Sequence, residues 1–315
     1  RPISELTSFV DEVRRERVVL TGDLIGLGAR PLPSQGNFVL TECDDAAWVI
    51  SAAASLGIAL RRFPSRPGLE SAVRITVPGD ADDFDRLVAT LGSVLDPQAV
   101  IFDLDGVLAD VSGSQVLAVV ETARTFGVEV QPSDIEATKA DGNSNDDWEL
   151  TRRLCLERGV DVTIEAVTER FESLYQGTAT SPGLKVAETA LVDQATWRDW
   201  AAKRPLAVVT GRPRSDAVEF LERFGLMEGL AALVTRDDAP LKPDSGPVVK
   251  ALEIMGVTRA WMLGDTPDDL TAARGAGVVP IGVIASGDNP EGARERLRYA
   301  ARILDKTTDL EEMLP

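Results

Sequence analysis

Histidine is absent from all 315 residues. That excludes a serine-type triad built on imidazole, a phosphohistidine intermediate and a histidine-ligated zinc site. Cysteine is nearly absent: Cys43 and Cys155 stand far apart. They provide neither a disulfide framework nor a metal knuckle, and a reducing cytoplasm is the expected location. No apolar run reaches the ~18 residues needed to span a bilayer, and no signal peptide opens the sequence, so no membrane partner is expected. Basic residues are the minority, 33 Lys and Arg against 51 Asp and Glu, for a formal charge of -18. A nucleic-acid partner would need a basic face and is likewise not expected.

What the chain does have is acid placed at the ends of apolar runs. Ala99-Val-Ile-Phe-Asp-Leu-Asp-Gly-Val-Leu108 reads as a buried strand delivering Asp103 and Asp105 into a turn at Gly106. In open α/β sheets the carboxyl ends of the strands are where ligands bind. There Asp103 can attack phosphorus while Asp105 protonates the leaving oxygen and later activates water. Magnesium, a hard ion held by carboxylates and substrate phosphate, suits the pair. Taken alone, Asp-x-Asp-Gly is an ordinary solvated turn.

The rest of the chain changes that reading. Leu206-Ala-Val-Val-Thr-Gly-Arg212 ends a second apolar run in Thr210 and Gly211, whose hydroxyl and backbone N–H can hold phosphate oxygens. Lys242, in Leu241-Lys-Pro-Asp244 before a helical pattern from Val248 to Met255, can clamp phosphate and offset the crowded carboxylates. Ala260-Trp-Met-Leu-Gly-Asp-Thr-Pro-Asp-Asp269 ends a third run in Asp265, a candidate metal ligand, and Asp269, which would support the metal shell indirectly.

From about Gln98 to Pro315 this order of motifs resembles the haloacid dehalogenase superfamily of phosphotransferases. The resemblance implies that Asp103 is the nucleophile, Asp105 the general acid/base, and Thr210 and Lys242 the phosphate binders. Asp103, Asp105 through its backbone carbonyl, and Asp265 would be the magnesium ligands. The dehalogenases and phosphonate-cleaving members depart at the position of Asp105, so the expected chemistry is hydrolysis of a small phosphate monoester, with phosphoryl transfer between sugar positions as the alternative.

The fold expected is α/β: a Rossmann-like three-layer parallel sheet with an inserted α-helical cap, preceded by a small N-terminal α+β domain. The core would span 98–315 and the cap about 112–181. Helical periodicity runs near Gln115–Phe126, Asn145–Arg158 and Thr163–Tyr175, with polar breaks at Gln131–Asp134 and Ala140–Ser144. Such an insert can serve as a lid, as in phosphoglycolate phosphatase-like members. Its run Lys139–Trp148 is a candidate for touching substrate, beside the plainer reading of a helix N-terminus with Trp148 in the cap core. From Pro182 a helical pattern continues to about Lys203, before the β/α alternation resumes.

Residues 1–97 read as a separate α+β unit: helix 3–17, strand 37–40, helix 45–56, short strands 58–62 and 73–77, and a closing helix 81–95. Through Pro33-Ser-Gln-Gly-Asn-Phe38, Gly57-Ile-Ala-Leu-Arg61 and Val73-Arg-Ile-Thr-Val77, the unit resembles the carboxyl-terminal small domain of histidinol-phosphate aminotransferases. The resemblance allows Arg74 to be a relic of an anion site, beside the plainer reading of a structural arginine, and no transamination is expected without the large domain. The chain starts with Arg1, so it is read either as a piece of a longer fusion or as a core with a dimerising appendage, which makes a homodimer through this unit one expectation. A fusion to that aminotransferase implies histidinol phosphate as substrate. Phosphoglycolate or another small organophosphate is the enzymatic alternative, and a non-catalytic scaffold the other class.

Overall fold

The computed structural model describes residues 3–140, 142 and 146–314. The N-terminal unit comprises α1 (Ile3–Gly26), β1 (Arg30–Pro31), β2 (Phe38–Glu42), α2 (Ala46–Ser55), β3 (Arg61–Arg62), β4 (Ala72–Thr76) and α3 (Ala81–Leu95). Its strands form an antiparallel sheet in the order β1-β2-β4-β3. The helix expected to end at Arg17 continues to Gly26, because Leu20 and Leu24 on its next two turns are fully buried. Asp80 caps α3 by accepting from the N–H groups of Asp82 and Asp83.

The next segments are β5 (Ala99–Phe102), β6 (Ala109–Asp110), α4 (Gln115–Thr125), α5 (Pro132–Ala140), α6 (Asp147–Glu157), α7 (Ile164–Tyr175), β7 (Gly177–Thr178), β8 (Ser181–Pro182) and β9 (Thr189–Ala190). The polar break expected at 131–134 is instead the start of α5. Pro132 takes a first-turn position that needs no N–H donor, and Asp134 accepts from the N–H of Gln131. The insert leaves and returns through the antiparallel pair β6–β9, so it rejoins the core near Thr189 rather than at 181. The helical pattern expected from 182 to 203 is therefore wrong in its first half. Only α8 (Gln194–Lys203), capped by Asp193, is α-helical there; Leu184–Ala187 is a 3-10 turn. Buried Val119, Ala123, Leu150, Leu154 and Phe171 give the cap its own apolar core.

Beyond α8 come β10 (Leu206–Val209), α9 (Arg214–Arg223), β11 (Leu230–Val234), α10 (Gly246–Met255), β12 (Ala260–Gly264), α11 (Pro267–Gly275), β13 (Val279–Val283), α12 (Pro290–Arg296) and β14 (Arg302–Leu304). The main sheet is parallel, six-stranded and ordered β11-β10-β5-β12-β13-β14. Its central strands are buried on both faces, which is why they read as continuous apolar runs. Alternate residues enter opposite layers. Ile101, Ala207 and Met262 pack on Val248 and Ala251 of α10 and Ala273 of α11, whereas Phe102, Val208 and Trp261 face the other side.

That other side is covered partly by α8, whose Trp200 stacks on Phe102 at 5.7 Å, and partly by the N-terminal unit. Trp48 meets Trp261 edge-on at 4.9 Å. The Trp261 indole N–H donates to the Ser93 carbonyl at 2.8 Å, and that of Trp48 to Val94 at 3.0 Å. One apolar cluster thus runs from Leu20 through Trp48 into Ile281, so the first unit completes a layer of the core rather than standing apart. Among the described residues no helix is long and apolar enough to cross a membrane.

Trp261→Ala is expected to destabilise the chain by about 3–5 kcal/mol, read by chemical denaturation followed by circular dichroism. A loss below about 1 kcal/mol, the range of surface changes, would show that the joint between the two units contributes little.

Candidate functional site

Register brings three strand ends together. Phe102 of β5 lies between Val208 of β10 and Leu263 of β12, so the chain emerging from each strand delivers Asp103, Thr210 and Asp265 to one edge. The N–H of Asp103 donates to the Leu263 carbonyl at 2.9 Å, extending the ladder to the acid itself. Gly106 then turns the chain at φ +75°, and a Cβ there would lie 2.5 Å from the Asp265 Oδ2 atom, so both backbone and space demand glycine. Gly264 is required by contact alone: its Cβ would sit 2.2 Å from the Asp269 Cβ.

Asp103 is only 5% exposed. Its Oδ1 accepts from the Lys242 ammonium at 2.7 Å, and the same ammonium lies 2.6 Å from Asp269 Oδ1 and 3.2 Å from the Val209 carbonyl. Burial works against the charge on Lys242, but Asp103 and Asp269 more than offset it and raise its pKa. Asp269 is fixed in turn by a capping box, its Oδ2 accepting from the Thr266 N–H at 3.0 Å and hydroxyl at 2.6 Å. Thr210 is buried, and its hydroxyl oxygen accepts from the Arg212 N–H at 3.1 Å.

A cavity of about 680 Å³, counting its open mouth, lies over these strand ends and under the cap. Asp103, Asp105, Gly211 and Asp265 line it; Thr210, Lys242 and Asp269 are set behind this lining.

Asp103, Asp265 and Asp269 each place a carboxylate oxygen within 4.8 Å of the others, and all three are buried. Burial raises the Asp103 pKa well above the usual range despite Lys242; burial also lifts Asp265 to about 7, with Asp269 adding to the rise against Lys139. Such a set of hard oxygen donors, costly to ionise together, fits a divalent cation such as magnesium.

Asp105 is held differently. Arg212, given no role in the sequence reading, donates from Nε and Nη2 to Asp105 Oδ1 at 2.8 and 2.5 Å. Burial pushes the Asp105 carboxyl up, and the guanidinium, with a further hydrogen bond from Gln115, holds it below the usual range. The remaining Arg212 donors reach Glu188 and the Tyr175 hydroxyl. A signal was present: an arginine two residues beyond the Thr210 strand end cannot avoid the same cleft.

From the cap, Lys139, Asp147, Trp148 and Glu172 line the cavity. The positions 141 and 143–145 of the Lys139–Trp148 run lie outside the described residues. Trp148 packs against the cap core and also lines the cavity. Its indole donates to Glu172 at 3.1 Å, and Arg236 from the core lies over its ring at 4.3 Å while pairing with Asp146 at 2.7 Å.

The family model described as haloacid dehalogenase-like hydrolase matches residues 100–283 and leaves residues 1–97 outside it. Over 218 residues the chain is 42% identical to an imidazoleglycerol-phosphate dehydratase of Phytophthora nicotianae, a match covering 67% of this chain and 46% of that protein. The chain thus spans less than half the length of that relative. A phosphoglycolate phosphatase of Agrobacterium fabrum is 30% identical over 194 residues, covering 58% of this chain and 78% of its own. In fold, a hydrolase from Pseudomonas syringae superposes with a TM-score of 0.56 at 22% identity, over 69% of this chain and 97% of that one.

Gly106→Ala pushes a methyl group into Asp265, so magnesium affinity measured by calorimetry is expected to weaken by about 10–100-fold. Unchanged affinity would contradict a metal role for Asp265.

Proposed function

Because the chain belongs to the haloacid dehalogenase-like hydrolase family, we propose that it is a phosphatase acting on a small phosphate monoester through an aspartyl-phosphate at Asp103. The observation that carries this reading is the Lys242 ammonium, 2.7 Å from Asp103 and 2.6 Å from Asp269, behind a cavity that Asp105 and Asp265 also line. A buried carboxylate beside a fixed cation, open on one side to a cleft, is a nucleophile that phosphate can approach without facing uncompensated negative charge.

In the reaction Asp103 bonds to phosphorus as the ester P–O bond breaks, and Asp105, which must first take up a proton against the pull of Arg212, passes it to the departing oxygen. Asp105, now a carboxylate, takes a proton from the water that attacks phosphorus, and the bond to Asp103 breaks to release phosphate. Lys242, the Thr210 hydroxyl and the Gly211 N–H would hold the phosphate oxygens. Magnesium, held by Asp103, Asp265 and the Asp105 backbone carbonyl with Asp269 in indirect support, would supply neutralisation of phosphate charge. The Lys242 ammonium keeps Asp103 oriented throughout.

For the substrate we propose histidinol phosphate, with histidinol as the departing alcohol. Glu172 and Asp216 line the cavity beside Trp148, and among the described residues neither forms an ion pair with Lys or Arg. Both accept from the Gln176 amide, at 3.2 Å for Glu172 and 3.0 Å for Asp216. Two cavity carboxylates without a Lys or Arg partner suit an ammonium-bearing alcohol. The likeness of residues 1–97 to a histidinol-phosphate aminotransferase domain supports the same substrate. So does the name of the Phytophthora relative, which specifies another imidazole-bearing phosphate ester. The competing reading is phosphoglycolate, favoured by the name of the Agrobacterium relative.

With magnesium present, kcat/KM is expected to be highest for histidinol phosphate in a panel that includes phosphoglycolate and sugar phosphates. Asp103→Asn should lower turnover by about 10³-fold or more. A preference for phosphoglycolate would overturn the substrate; equal rates for wild type and Asp103→Asn would overturn the mechanism.

A further inference from the structure

The buried cluster around Arg212 is larger than a phosphate site needs. Glu188, 3% exposed, stands immediately before β9, where the insert returns to the core, and it gathers groups from both crossings. Its Oε1 accepts from the Ser114 hydroxyl at 2.8 Å, just after the outgoing crossing, and from the Tyr175 hydroxyl at 2.9 Å, at the end of the last cap helix. Arg212 Nη1 reaches Glu188 Oε2 at 3.0 Å and the Tyr175 oxygen at 3.0 Å, while Nη2 reaches Glu188 Oε1 at 3.1 Å. The same planar group puts Nε and Nη2 on Asp105.

We propose that Arg212 is a positioning residue that ties the acid/base Asp105 to the two crossings of the cap, so that Asp105 is aligned for proton transfer when the cap is seated. The inference rests on the phosphatase reading above, since it concerns how Asp105 delivers its proton. Three observations carry it beyond a packing role. The guanidinium is rigid, so fixing its Glu188 edge fixes the direction of its Asp105 edge. Both guanidinium bonds to Asp105 end on Oδ1, so Arg212 itself does not occupy Oδ2, the oxygen through which a proton could move to the ester oxygen as the P–O bond breaks. Every other member of the cluster, Ser114, Tyr175 and Glu188, lies at a passage between core and cap, so displacement of the cap must disturb the fork. Phe220, on α9 of the core, lies under the guanidinium at 5.4 Å and keeps its plane in place.

Leaving groups of different basicity read this role. An alkoxide must be protonated as it departs, whereas nitrophenolate leaves without a proton. Arg212→Lys keeps the charge but cannot fork between Asp105 and Glu188. It is expected to lower kcat about 10²-fold for the alkyl phosphate that wild type turns over fastest. For para-nitrophenyl phosphate the expected loss is under about 5-fold, the gap reflecting the missing proton transfer. KM should stay nearly unchanged for both. Tyr175→Phe, which removes one hydroxyl and no charge, is expected to show the same inequality at smaller size and carries the test if the lysine variant does not fold. Equal losses on the two esters, or no loss, would overturn the inference and leave the phosphatase standing. Wild-type turnover of the nitrophenyl ester alone would overturn Asp105 as acid and this inference with it. Turnover of neither ester would overturn the phosphatase reading itself.

Discussion

Carboxylates crowded at the ends of adjacent parallel strands repel one another and resist burial, and the ion pair of Lys242 with Asp103 and Asp269 is what makes the arrangement tolerable. Its ammonium stands 2.7 Å from one acid and 2.6 Å from the other, beside the Asp103 that lines the cavity. A buried ion pair of this kind is weak as a source of stability, because desolvation of both partners offsets their attraction. Its use is to orient Asp103 and to offer positive charge where phosphate must approach. The strand order β10-β5-β12 follows from the same need, since it is the order that sets Thr210, Asp103 and Asp265 side by side.

Around that pair the molecule has three layers of control. The capping box at Thr266 fixes Asp269 and so the second partner of Lys242. The Arg212 fork fixes Asp105, and through Glu188 and Tyr175 it ties the acid to the cap. The cap closes the cavity with Trp148 and Glu172, anchored to the core by Arg236 on Asp146. The N-terminal unit acts at a greater distance. By packing Trp48 on Trp261 it covers the sheet face behind β12, the strand that ends in Asp265.

Much of this was legible in the sequence because strand-end acids announce themselves: an apolar run ending in Asp103, Thr210 or Asp265 has one place to go in a parallel sheet. Asp103, Asp105, Gly211 and Asp265 do line one cavity, and Lys242 and Asp269 stand directly behind it. Arg212 was passed over although it closes the quoted Thr210 motif, two residues beyond a strand end that reaches the same cleft. Glu188 and Tyr175 were out of reach for a different reason: only the β6–β9 pairing brings Glu188 beside Ser114, 74 residues away. Local signals also misled. Pro132 looked like a break and is a helix start, and the stretch from 182 to 193 reads as helical in sequence but is held instead by a 3-10 turn and the pairing of β9 with β6. The shared core of the N-terminal unit and the sheet was equally hidden, because Trp48 and Trp261 are joined by tertiary contact alone.

The most direct test of the account is to trap the covalent intermediate. Acid quenching of wild-type protein during turnover of a radiolabelled phosphate monoester with magnesium should leave an alkali-labile phosphoryl group on the peptide containing Asp103, and none in Asp103→Asn. Label on another residue, or turnover with no label at any quench time together with an active Asp103→Asn, would contradict it.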